Sequence, residues 1–262
     1  MQPLAQFPRA ARQRITCLLT DIDDTITTAG RLPGASITGM ERLAAVGIDV
    51  IPVTGRPAGW CDHMARMWPV AAVVGENGAF YFSYDENKRR VNRVFARSRE
   101  QRIADRLRLD ELRTTILAAV PEAAIASDQD YRIADLAIDV CEDVAPLSAD
   151  HIDEIVALFK AAGATAKLSS IHVNGWFGSY DKRGMSIRCL REVCGIDAEK
   201  EAEKVVFVGD SPNDAPMFDL FPQSVGVANV ADFVMDTPPA WVTRKRSAAG
   251  FQEVVEALLA VH

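Results

Sequence analysis

Histidine, paired cysteine, basic charge and long apolar runs are all scarce in this chain. Its four histidines stand far apart and show no zinc-ligand spacing. No apolar run approaches the roughly 20 residues that a membrane-spanning helix needs. The five cysteines, Cys17, Cys61, Cys141, Cys189 and Cys194, are scattered, odd in number and form no C-x-x-C. This argues against a disulfide framework and a thioredoxin-like motif, and predicts buried thiols in a reducing cytoplasm. Lys and Arg total 29 against 36 Asp and Glu, a net charge of −7. A mildly acidic surface argues against nucleic acid or an anionic membrane as the main partner. The opening stretch, MQPLAQFPRAARQR, has no continuous apolar segment of signal-peptide type and carries two prolines. It is read as a loose lead-in. There are no internal repeats and no low-complexity tract.

What the chain has is apolar residues in short, punctuated runs. They make up 48% of 262 residues, enough for one large domain or two modest ones. The central stretch is Ile15 to Thr25, ITCLLTDIDDT. Its apolar start reads as a buried strand, and its end places Asp21, Asp23 and Asp24 within four residues. In open α/β sheets, ligands gather at the carboxyl ends of strands. Carboxylates crowded there repel one another unless a cation neutralises them, and hard oxygen donors suit magnesium.

The rhythm on either side is strand, helix, strand. A helix is expected over 36–47, ended by Gly47, and then a strand over 48–53 with Pro52 near its end or at a bulge. A short helix over 58–67 and a strand over 71–74 follow. This pattern predicts a doubly wound parallel sheet. After Gly75-Glu76-Asn77-Gly78 and a strand over 79–84, the run DENKRR breaks the periodicity. A long helix over 99–119 is expected, with Ile103, Leu107, Leu112 and Ile116 on one side. A strand over 131–141 and a helix from 149 capped by Ser148 come next, then a hairpin over 165–180 turning at Asn174-Gly175. Antiparallel pairing in this block predicts an α+β unit inserted in the first: core 1–83 and 177–262, insert 84–176. From Asp181 the α/β rhythm returns, with a helix over 185–193, a strand over 205–208, weaker strands at 224–227 and 241–243, and a last helix over 251–259.

Four polar signatures stand at or near the ends of the core strands: Asp21-x-Asp23-Asp24-Thr25, Thr54-Gly55-Arg56, Lys182, and Gly209-Asp210-x-x-Asn213-Asp214. They supply a carboxylate nucleophile, a second acid, a hydroxyl, an ammonium and further metal-binding carboxylates. That inventory suits phosphoryl transfer through an aspartyl phosphate.

Taken in order, these four motifs resemble those of the haloacid dehalogenase-like superfamily. The insert between the second and third motifs, and Gly-Glu-Asn-Gly-Ala after the third strand, are similar to the branch with a large α/β cap. That branch includes sugar phosphatases, mannosyl-3-phosphoglycerate phosphatases, phosphomannomutases and Cof-like hydrolases. The resemblance implies a Rossmann-like core with an α+β cap. It implies Asp21 as nucleophile and Asp23 as acid and then base. Magnesium would be held by Asp21, the Asp23 carbonyl and Asp210, with Asp214 in support. Thr54 and Lys182 would hold phosphoryl oxygens, helped by backbone N–H groups near Asp24 and Gly55. Two departures stand out. Asp24 occupies a position that is often glycine, and Lys182 is followed by Arg183 rather than directly by glycine. In the insert, Arg132, His172 and Asn174 are candidates for reading the substrate, Arg132 by a bidentate grip on a second anion. The expected substrate is a sugar phosphate or a similar small phosphorylated metabolite. A mutase using the same aspartyl phosphate, a receiver domain and a non-catalytic phosphate-binding protein are the alternatives at this level.

Overall fold

The apolar strands of the larger unit send alternate residues to opposite faces, and helices cover both. The computed structural model describes residues 1–169 and 171–262. In chain order the first elements are β1 (Gln2–Pro3), α1 (Arg9–Arg12), β2 (Cys17–Thr20), α2 (Gly34–Ala45), β3 (Asp49–Pro52), α3 (Ala58–Met67), β4 (Val73–Gly75), β5 (Phe80–Asp85) and β6 (Arg90–Phe95). Next come α4 (Arg99–Ala119), β7 (Ala124–Ile125), β8 (Asp135–Asp139), α5 (Ala149–Ala161), β9 (Thr165–Leu168) and β10 (His172–Trp176). The chain ends with α6 (Lys182–Cys189), β11 (Val205–Gly209), α7 (Ala215–Leu220), β12 (Gln223–Gly226), β13 (Trp241–Val242) and α8 (Ser247–Leu259).

The main sheet has the order β1-β13-β12-β11-β2-β3, and all of its pairings are parallel. On one face Leu18, Val50, Val206 and Val208 pack with Met40 and Leu43 of α2, Met64 of α3 and Val254 and Leu258 of α8. On the other, Leu19, Ile51, Val205 and Phe207 pack with Met185 and Cys189 of α6 and Met217 of α7. The chain leaves β2 towards β3 on one side, and β11 later pairs with the other side of β2. The carboxyl end of β2 is therefore the switch point where such sheets form a crevice.

Several expectations change here. The N-terminal stretch is not loose: β1 pairs with β13, and Phe7 stacks on Trp241 with ring centroids 4.1 Å apart. The polar run after Tyr84 is the turn of a hairpin, and β6 pairs with β5 along its whole length. Phe82 of this hairpin is buried in the larger unit's core, with Val91 and Phe95 packed against it. On α4 the inward side is Leu109, Leu112 and Ile116, with Asp105, while Ile103 and Leu107 are exposed. α6 begins at Lys182, because Asp181 caps it by accepting the Gly184 N–H at 2.7 Å.

The inserted unit has its own antiparallel sheet, β7-β8-β10-β9. Leu136, Ile138 and Val173 face α4 and α5 and build a separate core with Ile116, Ile155 and Phe159. The alternate residues Asp135, Asp139, His172 and Asn174 are also buried but polar, on the opposite side of the same strands. Asn174-Gly175 is not a turn: both residues pair inside β10. Glycine is needed there because a Cβ would lie 2.1 Å from the Phe159 ring. The reversal falls between Leu168 and His172, of which residue 170 lies outside the described residues. Among the described residues no helix is long and apolar enough to cross a membrane.

Candidate active site

The Asp21 N–H donates to the Val208 carbonyl at 2.9 Å, which fixes the residue that follows β2 against its neighbour β11. Lys182, the first residue of α6, is buried and donates to Asp21 Oδ1 at 2.7 Å and to Asp214 Oδ1 at 3.2 Å. Arg183 points outward to Asp219 at 2.9 Å, so of the two basic residues it is Lys182 that meets the carboxylates. Two glycines allow this approach. A Cβ on Gly209 would lie 2.4 Å from Asp214 Oδ2, and one on Gly78 (φ +100°) would lie 2.0 Å from the Asp181 carbonyl oxygen. Asp214 Oδ2 also accepts the Asp210 N–H at 3.1 Å.

Asp21, Asp210 and Asp214 are all buried, and each offers an oxygen within 4.8 Å of the others. Burial pushes the Asp21 carboxyl well above its ordinary range, opposed by Lys182 and reinforced by Asp214 and Asp210. Burial and then Asp214 push Asp210 up to about 7, with Lys182 opposing. Burial works against the Lys182 ammonium, but Asp21 and Asp214 outweigh it and raise its pKa. One lysine against three clustered carboxylates leaves an excess of negative charge on hard oxygen donors, which fits a divalent cation such as magnesium. Millimolar magnesium is therefore expected to raise the thermal midpoint and a chelator to reverse the rise. Saturation at a hundred times Kd corresponds to about 2.7 kcal/mol. An unchanged midpoint in wild type, or an equal rise in Asp210→Asn, would count against this site.

Asp23 lies across the same cleft, gripped by Arg56. The Arg56 Nε donates to its two oxygens at 3.2 and 3.1 Å, and Nη2 donates to Oδ1 at 2.9 Å. The same Nη2 donates to Glu142 at 3.0 Å, so one guanidinium joins Asp23 to the inserted unit. His172 Nε2 lies 3.0 Å from Glu142 Oε2, off line for a good hydrogen bond but close enough to pair. Glu142 is held down to about 2, chiefly by His172, against desolvation and with help from Arg56.

Thr54 is buried, and its hydroxyl accepts the Arg56 N–H at 3.0 Å, which leaves its own proton to donate. The Gly55 carbonyl accepts from Arg132 Nη1 at 3.0 Å. Asp24 has φ +54°, a left-handed conformation that glycine adopts without strain. Its N–H is taken by the Thr27 hydroxyl at 3.0 Å, so it is not spare for a phosphoryl oxygen. Asp24→Gly is expected to change stability by less than about 1 kcal/mol, whereas the β-branched Asp24→Val should cost about 2 kcal/mol. Thermal unfolding of both variants checks this, and equal losses would contradict it.

Arg132 is fully buried and already engaged. Its Nε and Nη2 donate to Asp128 at 2.8 and 3.0 Å, and its Nη1 donates to Asp135 at 3.1 Å as well as to Gly55. A bidentate grip on a substrate anion would require these bonds to be given up. Asn174 Nδ2 donates to Asp135 at 3.0 Å. Asp21, Asp23, Arg56, Arg132, His172 and Asn174 nevertheless line one polar cleft between the two units.

Glu142 and Glu76 received no role from the sequence. Glu142 follows closely on β8 and is placed by Asp139, whose Oδ1 accepts its N–H at 2.8 Å, a contact that sequence alone does not signal. Glu76 accepts the N–H groups of Ala58 at 2.9 Å, Ile133 at 2.9 Å and Ala134 at 2.6 Å, tying the start of α3 to the inserted unit. Two successive positive φ values, +42° at Glu76 and +55° at Asn77, turn the chain to allow it.

No family model matches the chain. Two curated relatives, both named phosphoglycolate phosphatase, match nearly end to end. The protein from Methanobrevibacter smithii is 24% identical over 92% of this chain and 97% of its own. The one from Methanosarcina mazei is 25% identical over 94% and 97%. Among solved structures, a Thermoplasma acidophilum protein superposes with a TM-score of 0.68 at 16% identity, over 93% of this chain and 98% of its own. A phosphatase of the haloalkanoate (HAD) enzyme superfamily from Bacteroides thetaiotaomicron superposes at 0.63 and 15% identity, over 99% of this chain and 100% of its own. The sucrose-phosphatase of Synechocystis, solved with sucrose and phosphate, superposes at 0.61 and 15% identity, over 92% and 97%.

Proposed function

We propose that this chain, a phosphatase with the haloacid dehalogenase-like hydrolase fold, hydrolyses a small phosphorylated metabolite, a sugar phosphate or a close analogue, through an aspartyl phosphate on Asp21. The observation that carries the reading is the pairing of Lys182 with both Asp21 and Asp214 on one side of a cleft whose other side presents Asp23 on Arg56. An Asp21 carboxylate oxygen attacks phosphorus, and the bond to the leaving oxygen breaks as Asp23 delivers a proton to it. The ionised Asp23 then takes a proton from water, whose oxygen attacks phosphorus and restores the Asp21 carboxylate. The Lys182 ammonium and the Thr54 hydroxyl hold equatorial phosphoryl oxygens, where charge is spread in the transition state. Magnesium, when bound at Asp21, Asp210 and Asp214, supplies charge neutralisation for the phosphoryl group.

The inserted unit serves as the cap. It screens the cleft from bulk water and presents His172 and Asn174 to the leaving group. The residues read as this unit, 84–176, include the end of β5, its turn and β6, and β6 packs on the core through Val91 and Phe95, so the moving part begins at α4. The scattered cysteines suit a reducing cytoplasm. The test is phosphate release from a panel of sugar phosphates, phosphoglycolate and other small monoesters, with magnesium and with a chelator. Metal-dependent release with a preferred ester supports the reading. No release from any ester contradicts it.

A further inference from the structure

A second pocket adjoins the cleft and shares Asn77 and Asn174 with it. Its lining carries Lys167, Lys182 and Arg183 against a single acid, Asp181. Lys182 is matched by Asp21 and Asp214, Arg183 is matched by Asp219, and Asp181 is engaged in capping α6. Lys167 is exposed and makes no ion pair among the described residues. The register of the small sheet sets its direction. Lys167 of β9 pairs directly with Asn174 of β10, and such partners send their side chains to the same face. That face is the polar one, which carries His172 and Asn174 over the cleft and away from α5. Asn77 meets the same pocket from the core side. Its N–H donates to the Thr54 carbonyl at 3.1 Å, and its Nδ2 is buried without a partner.

An unmatched ammonium and an orphaned amide donor on one pocket call for an acceptor that carries negative charge. In the phosphatase reading the transferred phosphoryl group already has Lys182, Thr54 and the divalent cation. The acceptor therefore belongs to the alcohol from which that group departs. Arg56 and Arg132 are not open to it, each being paired with two or more acids. We propose that Lys167 is a specificity-determining residue that receives a carboxylate on the alcohol of the substrate, with Asn77 Nδ2 donating beside it. This rests on the phosphatase reading and narrows it to phosphate esters of hydroxy acids or sugar acids. The flexible four-carbon stem of Lys167 lets its ammonium follow alcohols of different length. A neutral alcohol leaves that ammonium to water, whereas a carboxylate forms an ion pair that strengthens as the cap closes and water leaves.

The experiment measures kcat and KM for two matched pairs of esters, each an acid and the alcohol in which CH2OH replaces its carboxylate. The pairs are phosphoglycolate with 2-hydroxyethyl phosphate, and 6-phosphogluconate with glucitol 6-phosphate. p-Nitrophenyl phosphate is added as an ester without either group. Wild type is expected to favour the acid in one pair by about tenfold in kcat/KM, a difference of about 1.4 kcal/mol. Lys167→Gln is expected to remove that preference, chiefly by raising KM for the acid, and Lys167→Arg to keep most of it. Both variants are expected to unfold at the wild-type midpoint, since Lys167 is exposed. A wild type that favours the acid in neither pair, or a preference unmoved in Lys167→Gln, overturns the role of Lys167 while leaving the phosphatase reading in place. Absence of release from every ester, p-nitrophenyl phosphate included, overturns both.

Discussion

Asp21→Asn is expected to lower kcat by at least about four orders of magnitude, in line with the loss of a nucleophile in other covalent mechanisms. The amide is nearly isosteric with the carboxylate, so position is kept while nucleophilicity is lost. Stability is expected to hold or rise, for a reason that can be checked by sign. Burial raises the Asp21 pKa above its unfolded value. A carboxyl whose folded pKa is raised costs stability wherever it is ionised, from the unfolded pKa upward. The asparagine escapes that cost, and Lys182 keeps Asp214 as a partner at 3.2 Å. An inactive variant with an undiminished thermal midpoint is the signature of a residue kept for chemistry at the expense of stability. Residual kcat comparable to wild type would remove Asp21 from the mechanism.

Arg132→Ala is expected to unfold the protein more easily by about 3–5 kcal/mol, which for a chain of this size lowers the midpoint by about 10 °C. Removing the guanidinium strands Asp128 and Asp135, both buried, and frees the Gly55 carbonyl next to Thr54. Asp135 already feels burial as an upward push on its pKa, relieved mainly by Arg132. Arg132→Lys keeps the charge but loses the planar fork and should fall between the two. A substrate-reading arginine would behave differently, raising KM with little change in midpoint. A midpoint within about 2 °C of wild type for Arg132→Ala, by the same scaling, would contradict the structural role.

The parts of the molecule that could be read from sequence are those where one local rule decides. The strand Cys17–Thr20 and the acids after it follow from apolar content and a sharp polarity change. The short helix expected over 58–67 is found at Ala58–Met67, directly after Pro57 and ending before Trp68-Pro69. What could not be read depends on contacts between distant segments. Phe7 is an ordinary residue of a polar-looking terminus until Trp241 arrives to stack on it. Asn174-Gly175 has the composition of a turn, but the Phe159 ring leaves room for nothing larger than Gly175. On α4, hydrophobic content suggests an inner stripe through Ile103 and Leu107, yet the buried stripe runs Asp105, Leu109, Leu112 and Ile116 at spacings of four, three and four, and leaves them in water. The site shows the same division. The four motifs point to their own residues, but Glu142 gains meaning only when the inserted unit places it on Arg56, itself fixed by Asp23.

The most direct test of the central claim is mass spectrometry of the protein quenched in acid during turnover of a saturating phosphomonoester with magnesium, followed by digestion and mapping. The account predicts one phosphoryl group on Asp21 in wild type. It predicts accumulation of that adduct in Asp23→Asn turning over p-nitrophenyl phosphate, whose leaving group needs no proton, because the base for the second step is gone, and none in Asp21→Asn. Steady turnover with an unmodified Asp21, or a phosphoryl group on another residue, would contradict it.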